Sequence, residues 1–214
     1  MNHYGLFIKL MDRQIPVQLL QLLEFWFRSG LTCVKWGDCF SAFYSQARGI
    51  RQGGVLSPYL FALYIDSVIE KVRRSRVGCE IKLESIGIIV YADDILLVAP
   101  TVTALQLLLK MCENELNWLA MSINASKSAC LRIGKDYKTV PVCIRTIDGR
   151  EIPWQDNVRY LGMQLVANNV FTCSFDNAKK SYYRAFNAIY SKTVSIASEE
   201  VILEMLKMKC LPVL

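Results

Sequence analysis

Two apolar runs, Gly87 to Val90 and Ile95 to Ala99, close around the segment Tyr91-Ala92-Asp93-Asp94. Short β-rich runs on either side of a polar turn predict a hairpin with both arms buried and two adjacent carboxylates at its tip. Burying two like charges side by side costs on the order of several kcal/mol unless something positive compensates. No basic residue lies between Gly87 and Pro100. A divalent cation is the natural compensation, and hard oxygen donors point to Mg²⁺, with Mn²⁺ as an alternative. An Asp-Asp pair suits an ordinary solvated hairpin turn equally well, so the pair alone leaves both readings open.

Composition narrows the setting. With 214 residues, 53% of them apolar, the chain has enough material for one large domain or two small ones, and it is too apolar to be disordered. No apolar run reaches the roughly 18 residues of a membrane span. Glu24 interrupts the run from Leu19 to Phe27, and the aspartate pair interrupts the run from Ile86 to Ala99. The N-terminus lacks the succession of a signal peptide, so an intracellular location is expected, with nucleus or cytoplasm left open. Eight scattered cysteines without a CxxC, and His3 as the sole imidazole, argue for reduced thiols over a disulfide framework or a zinc site. The net charge of +6 is compatible with a polyanionic partner, but no basic block concentrates it.

Along the chain, a short polar start precedes a buried helix from Ile15 to Phe27, with Pro16 in its first turn and Gly30 to stop it. The stretch around Gly37 and Asp38 reads as a hairpin. The glycine-rich segment from Arg48 to Pro58 runs into a long helix to about Arg76, with Ser57 as N-cap and Pro58 at the first helical position. Helical spacing returns from Val102 to about Ile123. Short strands are expected at Ser128 to Ile133, Val142 to Ile147 and Glu151 to Trp154, turning at Asp148 and Gly149, and a further strand at Val158 to Val166. Two helices, about Asp176 to Thr193 and Ser198 to Cys210, close the chain. The order predicts an α+β fold with antiparallel pairing.

Four segments, taken in order, then carry a family resemblance. Tyr91-Ala92-Asp93-Asp94 resembles the YxDD signature of reverse transcriptases. Arg51-Gln52-Gly53-Gly54-Val55-Leu56-Ser57-Pro58 resembles that family's glycine-rich segment, in a form similar to non-LTR, LINE-type retrotransposons. Asn124-Ala125-Ser126-Lys127-Ser128 resembles the lysine-bearing loop, and Arg159-Tyr160-Leu161-Gly162 the primer-grip segment.

The resemblance implies a polymerase palm, an antiparallel sheet backed by helices, over residues 1–166. Residues 167–214 would form the connection and the start of a helical thumb. It implies an RNA-directed DNA polymerase acting on an RNA template, a DNA primer and deoxynucleoside triphosphates. Its two-metal nucleotidyl transfer stabilises both attacking and leaving oxygens. Asp93 would be the direct metal ligand and Asp94 an auxiliary carboxylate. Arg51, Gln52, Gly53, Gly54 and Tyr91 would line the nucleotide, and Lys127 would face the triphosphate as electrostatic partner or proton donor. Tyr160, Leu161 and Gly162 would hold the primer. Lys179, Lys180, Tyr182, Tyr183 and Arg184 mix cations and aromatics as a backbone-tracking surface can, although a solvated amphipathic helix explains them nearly as well.

A palm polymerase needs another carboxylate on the strand before its first helix. Asn2-His3-Tyr4-Gly5-Leu6 resembles the stretch just after that aspartate, so the resemblance places the aspartate and the fingers upstream of Met1 and implies that these 214 residues alone lack activity. Asp12 and Asp38 read as a helix-end residue and a turn residue. A non-catalytic, co-opted nucleic-acid-binding remnant is the alternative reading. A nucleotide cyclase would leave the glycine-rich and Arg-Tyr-Leu-Gly segments unexplained.

Overall fold

The chain opens on a helix where the sequence suggests only a polar start. In the computed structural model, which describes residues 1–213 apart from Ala47, Gln52, Val140 and Pro141, α1 spans His3–Asp12. The Asn2 side chain accepts the Tyr4 amide at 3.0 Å and caps it. Leu6 and Leu10, one turn apart, are buried with Lys9 beside them. Apolar residues on the other face, Tyr4 and Met11, are exposed and blur this two-leucine stripe in the sequence.

Two compact units follow from the contacts, the first formed by Met1–Ser128 with Pro141–Ile152, the second by Ala129–Val140 with Pro153–Leu214. In the first, α2 spans Val17–Ser29, starting after Pro16 and ending at Gly30. None of its residues is fully buried: Leu20, Leu23 and Phe27 pack against the core, while Leu19, Leu22 and Phe25 face outward. The expectation of a buried helix is corrected accordingly. Strands β1 (Leu31–Thr32) and β4 (Tyr44–Ser45) enclose the tighter pair β2 (Lys35–Trp36) and β3 (Cys39–Phe40), which turns at Gly37-Asp38 as expected.

Helix α3 spans Ser57–Ser75. Its start is one residue earlier than the capping chemistry suggests, because the Ser57 hydroxyl donates to the Arg51 carbonyl at 2.6 Å instead of capping the helix. Helix α4 spans Val102–Trp118, and the Thr101 hydroxyl accepts the Ala104 amide at 3.1 Å. Leu119 and left-handed Ala120 (φ +53°) then end it short of Ile123.

Helices α1, α3 and α4 enclose the core around Tyr64, which is fully buried with Leu6, Val68, Leu108 and Cys112. Each fully buried aliphatic side chain contributes about 1.5–3 kcal/mol. The Tyr64 hydroxyl is paired as well, donating to the Leu119 carbonyl and accepting the Asn2 amide at 3.2 Å, so one phenol ties three helices together.

Between α3 and α4 run β5 (Glu80–Ile81), β6 (Glu84–Ser85), β7 (Ile88–Tyr91) and β8 (Asp94–Leu97), paired as two hairpins. A further hairpin of the same unit, β9 (Ile144–Arg145) with β10 (Glu151–Ile152), turns through Asp148 and Gly149.

In the second unit, β11 (Asn157–Tyr160), β12 (Met163–Val166) and β13 (Thr172–Ser174) form a three-stranded antiparallel sheet. The single strand expected from Val158 to Val166 is therefore two strands, folded at Leu161 (φ +47°) and Gly162 (φ +84°). The strand expected from Ser128 to Ile133 reduces to a bridge between Cys130 and Trp154. Helices α5 (Asp176–Thr193) and α6 (Glu199–Lys209) follow. The fold is α+β, and every pair of named strands is antiparallel. Among the described residues no helix is long and apolar enough to cross a membrane.

Candidate active site

The register of β7 and β8 sets Tyr91 opposite Asp94 and leaves Ala92 and Asp93 as a two-residue turn. Ala92 takes φ +51°, a left-handed value that glycine adopts freely and alanine does not. One face of the hairpin is pinned: Ile88 is buried, and Val90, Ile95 and Leu97 pack against the core, with α3 on β7 and α4 on β8. Ile89 on the other face is exposed, so the arms are half-buried where full burial is expected.

The base of the hairpin is a close backbone approach. The Val98 amide donates to the Gly87 carbonyl at 3.0 Å, and the Cys79 amide to the Val98 carbonyl at 3.1 Å. A Cβ built on Gly78 would overlap the Cα of Gly87.

Asp93 and Asp94 emerge exposed at the tip, and among the described residues neither is in an ion pair. Their lone pairs are thus open to an external ligand. Two adjacent carboxylates suit one divalent ion that keeps most of its water shell. Among the described residues no third His, Cys, Asp or Glu joins them in a group able to hold a metal, so a second ion would need donors from elsewhere.

Two other turns of this unit carry expected site residues. In the loop before α3, Arg51 is exposed and its carbonyl accepts both the Ser57 hydroxyl and the Gly54 amide, the latter at 3.2 Å. Gly53 takes φ +80°, and a Cβ on Gly54 would meet the Ser57 hydroxyl oxygen at 2.7 Å. Gln52 lies outside the described residues. After α4, Asn124 organises a turn: its carbonyl accepts the amides of Lys127 and Ser128 at 3.1 Å each, and its side chain accepts the Ser126 hydroxyl at 2.7 Å. Lys127 is left exposed. In the second unit, Tyr160, Leu161 and Gly162 form the β11–β12 corner.

The model of the family described as "Reverse transcriptase (RNA-dependent DNA polymerase)" matches residues 1–165. The chain belongs to the reverse transcriptase family. It is 26% identical over 170 residues to the retrovirus-related Pol polyprotein from the type-1 retrotransposable element R2 of Nasonia vitripennis, covering 76% of this chain and 16% of that protein. The counterpart from the type-2 element R2DM of Drosophila melanogaster is 25% identical over 183 residues, 81% of this chain and 17% of that protein. The type-1 R2 polyprotein of Popillia japonica is 32% identical over 125 residues, 54% of this chain and 17% of that protein. The chain therefore spans only 16 to 17% of the length of these curated relatives. R2 elements are non-LTR retrotransposons, in agreement with the LINE-type resemblance of the glycine-rich segment.

Within this reverse transcriptase segment the structure adds residues that spacing alone does not mark. His3 Nε2 lies 2.8 Å from the Gly49 carbonyl, at the upstream end of the glycine-rich loop. Lys9 donates to the Tyr64 carbonyl at 2.6 Å and to the Ser67 hydroxyl at 2.5 Å, and burial pushes its ammonium below the usual lysine range against the pull of Glu115 and Asp66. Glu113 accepts the Ile147 amide at 2.9 Å, and burial pushes its carboxyl above the usual range. The available signal was thin: Leu6 and Leu10 at helical spacing mark α1, but nothing local marks its partners.

Proposed function

We propose that this chain supplies the palm of an RNA-directed DNA polymerase. Residues 1–166 form a partial palm, and residues 167–214 the connection and the start of a helical thumb. The observation that carries the reading is the pair of unpaired, exposed carboxylates at the tip of a core-anchored hairpin, inside a segment that matches the reverse transcriptase family over residues 1–165.

Asp93 and Asp94 would hold the divalent ion, Mg²⁺ or Mn²⁺. Bound there, such ions stabilise the attacking and leaving oxygens of an in-line phosphoryl displacement. Lys127, on its Asn124-ordered turn, faces the triphosphate and can stabilise or protonate the departing pyrophosphate. Arg51, Gly53 and Gly54 line the nascent base pair, where the lack of a Cβ at the two glycines allows the backbone to approach, and Tyr91 flanks the nucleotide from the hairpin.

Tyr160, Leu161 and Gly162 hold the DNA primer. Along α5, Tyr182, Phe186 and Tyr190 stack at centroid separations of 6.3 and 5.4 Å, with Lys179, Lys180 and Arg184 on the same helix and Tyr183 exposed. That combination suits an RNA template paired with primer, whose phosphates it can follow without reading sequence.

Because the described residues bring only two carboxylates to the tip, this chain is expected not to catalyse incorporation by itself. Primer extension on an RNA template with Mg²⁺ and deoxynucleoside triphosphates tests both parts, using this chain and a form extended upstream of Met1. Incorporation by the extended form alone, lost in Asp93→Asn, is the expected result. Incorporation by the 214-residue chain would overturn the inactivity, and none in either form would overturn the polymerase reading.

A further inference from the structure

The glycine-rich loop is fastened at both ends by different devices. Downstream, the Ser57 hydroxyl holds the Arg51 carbonyl at 2.6 Å and the Gly54 amide donates to that same carbonyl at 3.2 Å. Upstream, the fastening comes from the start of α1. The Gly49 amide donates to the Met1 carbonyl at 2.8 Å, Asn2 bridges Arg48 in antiparallel fashion, and His3 Nε2 sits 2.8 Å from the Gly49 carbonyl.

A carbonyl oxygen only accepts, so Nε2 of His3 is the donor. The imidazole is braced from behind by Phe27, with ring centroids 4.4 Å apart and planes inclined at 40°. The α1 start does not drift, because the Asn2 amide is held by the buried Tyr64 hydroxyl. Gly49 itself takes φ +101°, and a Cβ there would meet the Gln46 side chain at 2.7 Å, so the loop path at this point is specific. Between Gly49 and Ser57 lie Arg51, Gly53 and Gly54. A small cavity of about 30 Å³ is lined by His3, Trp26 and Phe27 together with Gly49, Ile50 and Arg51.

We propose that His3 is a positioning residue for the nucleotide-facing loop: its Nε2–H donation to Gly49 O, braced by Phe27, sets the path of Arg51, Gly53 and Gly54. This rests on the polymerase reading for the loop's task, though the fastening itself does not. His3 touches no substrate and acts through Gly49.

Two variants separate ring from donor in the 214-residue chain. His3→Phe keeps an aromatic ring against Phe27 and removes the donor, whereas His3→Gln keeps a donor near the Nε2 position and removes the ring. In His3→Phe, amide hydrogen exchange at Gly49 and Gly54 is expected to accelerate about tenfold, while buried α3 amides such as Val68 keep their protection. His3→Gln is expected to restore exchange to within about twofold of the parent.

Affinity for a Mg²⁺-bound deoxynucleoside triphosphate should fall about fivefold in His3→Phe and recover in His3→Gln, with Mn²⁺ affinity at Asp93 and Asp94 unchanged in both. Unchanged Gly49 exchange in His3→Phe, or equal acceleration in both variants, would overturn the proposal. A parent chain that binds no nucleotide would instead count against the polymerase reading, while the exchange result still judges His3.

Discussion

The hairpin that ends in Asp93-Asp94 and the hairpin that turns at Asp148-Gly149 belong to the same unit, and all three aspartates are exposed. Their surroundings differ in what is done with the carboxylate oxygens. At Asp148 both are taken: the Thr146 hydroxyl donates to one, and Arg150 Nε donates to the other at 2.6 Å, which holds the carboxyl down at about 2. Neither Asp93 nor Asp94 has an ion-pair partner among the described residues. Exposure therefore fails to separate a turn carboxylate from a ligand-ready one, and occupancy of the lone pairs succeeds.

The sharpest way to break this contrast is to neutralise each acid in turn. Asp93→Asn is expected to remove nucleotide incorporation in any active form by about a thousandfold or more, while the urea midpoint of the chain stays where it was. Asp148→Asn should do the reverse, lowering the midpoint and sparing metal affinity measured with Mn²⁺. Equal losses of stability in the two variants would dissolve the distinction.

The two hairpins are also anchored differently at their bases. The Asp93-Asp94 hairpin uses backbone against backbone, where a Cβ on Gly78 would overlap the Cα of Gly87. The base of the other is held by a side chain: Gln106 donates to the Arg145 carbonyl at 2.7 Å and accepts the Arg145 amide at 2.9 Å. Gly78→Ala is expected to cost about 2–4 kcal/mol in denaturant unfolding, because the obstacle is backbone that cannot rotate away. Gln106→Ala should cost only about 1–2 kcal/mol, as water can reach the freed groups.

Acidity separates a further pair. Asp148 has a folded pKa below its unfolded value, so its contribution is present above about pH 4 and is lost as the pH falls toward 2. Glu113, raised chiefly by burial, has the opposite sign: its contribution is full below about pH 4.5 and is lost as the pH rises through the folded value. Glu113→Gln keeps an acceptor for the Ile147 amide without a desolvated charge. It is expected to stabilise the chain by about 1 kcal/mol at pH 7 and to lose that advantage at pH 4, measured as unfolding midpoints at the two values.

Much of this site was legible because its signals are local. Two apolar runs around Tyr91-Ala92-Asp93-Asp94 define a hairpin and its tip without reference to the rest of the chain. What escaped depends on distance or on cover. Lys9 and Glu113 are buried by virtue of partners 55 and 34 residues away, and those partners are backbone groups that every residue possesses. Helix α2 is apolar in sequence, but apolarity does not say which surface is available to cover it, and Leu22 and Phe25 remain in solvent. The Val158 to Val166 run conceals a corner because Leu161 sits in a left-handed conformation that leucine seldom adopts.

The same backbone argument gives the smallest effect and the finest test of the comparison. Ala92 at φ +51° holds the turn before Asp93 in a conformation that disfavours an L side chain, whereas the Asp148 turn places Gly149 at φ +82°. A Cβ on Gly149 would meet nothing within 4 Å, so any penalty there is backbone alone. Gly149→Ala should therefore destabilise the chain by about 1 kcal/mol. Ala92→Gly should stabilise it by about 0.5 kcal/mol, because relief of the left-handed strain slightly exceeds the added freedom of the unfolded chain. If Ala92 also holds Asp93 in place, the gain in stability will accompany a loss of about twofold in Mn²⁺ affinity, since strain at such a position is retained for what it orients. A variant that gains stability with metal affinity intact would show that Ala92 is tolerated at the tip without orienting Asp93.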